Sequence, residues 1–112
     1  MVFREATDEE RANITPPTDL ECWCFVAEEE GRIEGHICLT RAMGEVFGHD
    51  TGYTGTDPHV PVRLWFKSRE KAKEWGASSV NVHVTEETDP TIVGFWERLG
   101  FVPVMTIYRG NI

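Results

Sequence analysis

Basic residues are scarce in this chain. Eleven Lys and Arg stand against nineteen Asp and Glu, and the net charge is −8. Nonspecific nucleic-acid binding needs clustered cations against phosphates, so that class is excluded as the main role. Cysteine is also sparse, with three residues. Cys22 and Cys24 lie two apart and share one face of any strand they occupy. There is no Cys-x-x-Cys and no second ligand pair, which leaves no metal site by spacing. The three therefore read as small buried hydrophobes. Long apolar runs are absent, so no bilayer-spanning segment is predicted. Met1-Val2-Phe3-Arg4-Glu5 does not begin a signal peptide. The expected location is the cytoplasm, or a particle that a cytoplasmic protein assembles into. Repeats and low-complexity tracts are missing too.

What is present is enough for one core. The 112 residues are 40% hydrophobic and include four tryptophans. This predicts a single domain over residues 1–112. Val2 to Ala6 reads as a short strand. Thr7, with Glu10 three residues on, reads as the N-cap of a brief helix that Pro16 and Pro17 must end. Glu21 to Glu28 is apolar on both faces, as a central strand would be. Glu29 to Arg32 is a turn, and Ile33 to Thr40 the return strand. Glu45 to Asp50 reads as a fourth strand, and the Gly- and Thr-rich stretch 51–58 as a loop. A long helix is predicted from about Pro61 to Trp75, with Trp65, Ser68, Ala72 and Trp75 as its stripe and Gly76 as its stop. Ser79 to Val84 alternates as a strand does.

The most informative stretch follows. Asp89 can cap a helix, and Pro90 sits where its missing N–H is not needed. Ile92, Phe95, Trp96 and Leu99 make one apolar face, and Gly100 ends the helix. Phe101 to Tyr108 reads as a final strand. Asp89 followed by Phe95-Trp96-Glu97-Arg98-Leu99-Gly100-Phe101 resembles the last helix and strand of the GNAT superfamily, the acyl-CoA-dependent N-acyltransferases. The hairpin around Gly31 and the helix–Gly76–strand unit are similar to that family as well. The resemblance covers most of residues 21–108. It implies an α/β (α+β) fold, with a mixed, mostly antiparallel sheet on which the long helix and the C-terminal helix pack. It also implies that the fourth and fifth strands run parallel and splay into a cleft for acetyl-CoA.

For the site, the resemblance implies a cofactor diphosphate at the start of the long helix, and the candidate contacts are Val62, Arg63 and Lys67 there, the last two by their charge and place one turn apart, with Asp89. Five basic residues lie on that helix against Glu70 and Glu74. His59-Val60-Pro61-Val62-Arg63 stands where the family carries Arg/Gln-x-x-Gly-x-Gly/Ala, and Pro61 removes a donor from it. Trp96 occupies the place of the family's acid tyrosine, and an indole N–H is not an acid near neutral pH. Glu45 and Asp50, with His49 between them, are the candidate general bases; His36 and His83 read as sheet histidines held by hydrogen bonds. Two functions are therefore expected to compete. One is an acetyl-CoA-dependent N-acetyltransferase of weak or lost activity, acting on a small amine. The other is a non-catalytic GNAT-fold subunit that binds a protein partner or itself, such as a bacteriophage virion component. No nucleic-acid or membrane partner is expected.

Overall fold

The computed structural model describes residues 1–104 and 108–111, and at position 50 the backbone alone. The elements in order are β1 (Val2–Glu5), α1 (Asp8–Ile14), β2 (Glu21–Glu29), β3 (Arg32–Ala42), β4 (Glu45–Tyr53), α2 (His59–Glu74), β5 (Asn81–Val82) and α3 (Pro90–Arg98). They form one sheet in the order β1-β2-β3-β4-β5. The first three pairings are antiparallel and the last is parallel.

Local chemistry explains most boundaries. The expected capping box is present: Glu10 N–H donates to Thr7 Oγ1, and Thr7 N–H donates to the Glu10 carboxylate. The β2–β3 turn places Glu30 and Gly31 at φ 51° and 79°, a pairing that matches strand twist. Gly76 and Gly100 adopt φ 80° and 92° just past α2 and α3. The long helix starts two residues before the proline expected to open it. Pro58 is its N-cap, and Pro61 sits within the first turn, where amides have no intrahelical acceptor.

The sheet is covered differently on its two faces. Trp23, Phe25, Ile37 and Leu39 pack against Val60, Leu64, Trp65 and Ala72 of α2. The opposite face carries Cys24, Val26 and Cys38, also buried. This bears out β2 as a strand apolar on both sides. On that opposite face α1 is tied down through Arg4, whose guanidinium forks onto Glu10 at 2.7 and 2.8 Å and reaches Glu28 at 2.9 Å. The forked contact with Arg4 holds the Glu10 carboxyl down at about 2.

Four expectations need correcting. Cys24 and Cys38 are not simply buried thiols: they are disulfide-bonded across the β2–β3 ladder, their Cα atoms 4.2 Å apart as directly opposed partners. Cys22 is the partly exposed free cysteine among the described residues. The loop expected at 51–58 begins later, because β4 continues to Tyr53 by pairing with Gly35. The strand expected over 79–84 forms only at Asn81–Val82, since a parallel strand needs a partner and β4 meets it at Phe47 and Gly48 alone. Gly48 permits that approach: a Cβ there would lie 3.3 Å from Val82 Cγ1. The final strand was expected over 101–108. Phe101 to Val104 carries no regular structure, and residues 105–107 lie outside the described ones.

Candidate functional site

The parallel pairing of β4 and β5 ends after two residues, and the strands then part. The cavity at this seam has a volume of about 1020 Å³. That is at the upper end of the range for small-molecule sites, and the seam of an open sheet is a usual place for one. Its walls come from four directions: the 15–20 segment after α1, strands β3 and β4, the first turn of α2, and the apolar face of α3.

His49 is one of the titratable groups on the wall of this cavity. It pairs with Cys38 across the ladder, which puts it on the α1 side of the sheet. Its Nε2 shares a short hydrogen bond with Thr40 Oγ1, and both residues line the cavity. This bond fixes the imidazole ring in one orientation. His83 also lines the cavity and meets Phe47 edge-on, with ring centroids 6.2 Å apart. Arg98 is the third titratable cationic type on the wall. Tyr53 ends β4 at the same cavity. Its hydroxyl accepts the N–H of Asp57 at 3.1 Å.

The α2 N-terminus is where a diphosphate would be sought, because free amides and the helix dipole favour an anion there. Here the chain supplies its own anion. Asp57 Oδ1 accepts the N–H of His59 at 2.9 Å, and Asp57 O accepts that of Val60 at 3.2 Å. Pro61 has no N–H. Of the first-turn residues His59 to Val62, only Val62 is left with an amide these contacts do not use. The loop that delivers Asp57 is held by close contact. Gly55 lies against the Tyr53 ring, where a Cβ would come within 2.4 Å of the hydroxyl oxygen. Gly52 is similarly pressed on His36, at 2.8 Å. These two glycines therefore serve close approach, not the positive φ of a turn.

The structure scatters several of the residues singled out from sequence. Val62 lines the cavity. Arg63 does not: it lies over the Phe3 ring at 4.1 Å, on β1 at the far edge of the sheet. Lys67 projects outward and meets Glu70 at 3.6 Å. Asp89 caps α3 by accepting the Thr91 N–H at 2.8 Å, so its carboxylate is already engaged. Glu45 is exposed beside the Met43–Gly44 turn, away from the cavity. The side chain of Asp50 lies outside the described residues. Trp96 is 6% exposed and packs among Trp65, Phe95 and Phe101, with one edge on the cavity. The 15–20 segment and Tyr53 were not identified as wall from sequence. Pro16-Pro17 marked only a break in α1, and position 53 read as loop.

No family model matches the chain, and no curated protein matches it by sequence. Solved structures do resemble it. The aminoglycoside 6′-N-acetyltransferase AAC(6′)-Ig of Acinetobacter haemolyticus superimposes with a TM-score of 0.74 at 9% identity, covering 100% of this chain and 98% of that one. Aminoglycoside N-acetyltransferase AAC(6′)-Iy, solved in complex with CoA, gives 0.72 at 14% identity over 99% of this chain and 100% of its own. A transcriptional regulator from Bacillus halodurans gives 0.69 at 16% identity, over 99% of each chain. At these identities the likeness shows the fold, which is shared by acetyltransferases and a transcriptional regulator and so does not by itself decide the role.

Proposed function

With the GNAT acyltransferase fold as premise, we propose that this chain is an acetyl-CoA-dependent N-acetyltransferase-like protein with weak cofactor binding and correspondingly weak turnover. The observation that carries this reading is the Asp57 carboxylate on the first turn of α2, next to Pro61. The residues present fit the two ends of the cofactor unequally. The parting of β4 and β5 opens strand edges that suit an extended amide-bearing arm. The diphosphate end is poorly served, because two amides are already spent on Asp57, which would also repel phosphate.

When bound, acetyl-CoA supplies the activated acyl group. The chain's own contribution is to hold the amine in the cavity and to accept a proton from it. His49 is the group placed for that, with Thr40 keeping the ring in position. Trp96 acts as a wall. Its indole offers no acid, so protons must come from water at the open mouth.

Isothermal titration with acetyl-CoA tests the reading directly. The expected dissociation constant is weaker than micromolar, and a micromolar or tighter value would overturn it. Asp57→Ala is expected to tighten binding by about 1 kcal/mol, the net worth of one released donor. His49→Ala is expected to lower any residual acetylation by about a hundredfold, at the low end for general base catalysis. The second reading, a non-catalytic binding or structural subunit, is favoured by the burial of Trp96 where the family acid would stand. It predicts no thiol release from acetyl-CoA with any amine, and self-association or a partner contact in sedimentation.

A further inference from the structure

We infer that the acceptor end of this cavity takes a small aryl-alkyl amine bearing one ammonium group, and not a polycation. This rests on the reading of the cavity as an amine site, but it is measured without acetyl-CoA. The wall on the α1 side is made by Pro16, Pro17, Leu20 and Phe47, with Phe95 approaching from α3. The basic side chains on the described wall are His49, His83 and Arg98, and Tyr53 adds a phenol. No described wall residue is Asp or Glu, in a chain that carries nineteen of them.

That distribution decides between classes of amine. A polyamine entering here would shed the hydration of several ammonium groups and meet no carboxylate among the described wall residues in return. It would also face Arg98. Burying charge without a partner is strongly unfavourable. An amine with a single basic nitrogen leaves water once, and deprotonates to become a nucleophile beside His49. Its carbon body has surface to cover. Leu20 and Ile92, both on the wall, are still 50% and 48% exposed. An aromatic ring would bury them against the two prolines and Phe47.

The test is calorimetric titration of the full chain with phenethylamine and with spermidine, in the absence of acetyl-CoA. Phenethylamine is expected to bind at least tenfold more tightly. Leu20→Glu places a carboxylate at the half-exposed mouth without opening the core, and is expected to shrink that ratio at least threefold. A thermal melt of the variant matching wild type within a few degrees confirms that it folds. Spermidine binding as tight as phenethylamine overturns the inference. So does binding of neither amine, or a ratio that Leu20→Glu leaves unchanged. Acetyl transfer is assayed separately by thiol release. No turnover together with retained phenethylamine preference removes the transferase reading and leaves this inference standing. Turnover with spermidine as the better acceptor does the reverse.

Discussion

Strands β2 and β3 pair over nine positions, while β4 and β5 pair over two. The first region is cross-linked, buried on both faces and closed by a tight turn. The second is held by Gly48 against Val82 and by the packing of α3. Stability therefore resides in the hairpins and α2, whereas the cavity opens at the seam where pairing stops. Continuous ladder hydrogen bonds would leave no room for a ligand. A site on this sheet has to lie where the ladder fails.

The largest expected break in this contrast is Leu64→Ala. Leu64 is 2% exposed and packs against the hairpin strands, so the loss is expected at about 2–5 kcal/mol in urea denaturation. Next is Gly35→Ala. The new methyl would lie 3.1 Å from Leu64 Cδ1 and 3.3 Å from the Tyr53 ring, and about 1–3 kcal/mol of overpacking strain is expected. A change below about 0.5 kcal/mol at either position would mean that the hairpin region is as loose as the seam.

A smaller effect should follow pH. The Glu10 carboxyl is lowered from 4.5 to about 2 by its hydrogen bonds to Arg4, so it stabilises the fold above pH 4.5. That contribution is lost as pH falls through about 2. The difference in melting temperature between wild type and Glu10→Gln is expected to be constant near neutrality and to shrink across that window. A difference independent of pH would show that Arg4 does not hold α1 through this charge. The smallest effect is expected at the seam itself. Ile92→Ala, at a half-exposed cavity wall, should change stability by no more than about 0.5 kcal/mol. It should still weaken phenethylamine binding, which would separate a binding surface from a structural one.

Much of the fold was legible because its signals are local. Thr7 and Glu10 announce a capping box within four residues. Gly76 and Gly100 stop their helices for backbone reasons that no distant contact alters. The alternation of residues 21 to 28 already requires cover on both sides. The site was less legible, because its members meet only through long-range pairing. Arg63 looked available for phosphate from its place near a helix start, yet the rotation of α2 on the sheet turns it onto Phe3. Glu45 and His49 lie on one predicted strand, and only the register against β3 brings His49 beside Thr40. The anion cradle looked short of glycine, which the sequence shows plainly. That Asp57 would fill it depends on Tyr53 and Gly55 drawing the loop back.

The residues themselves determined the order of elements, their caps and the absence of a Gly-x-Gly loop before the long helix. These follow from backbone conformations and hydrogen bonds that span a few residues. Tertiary structure alone decided where β4 leaves β5, which side chains face the cavity, and that its described walls carry no carboxylate. Those facts depend on register and helix rotation. Both are settled by burial across the whole sheet, and no short stretch of the chain contains that information.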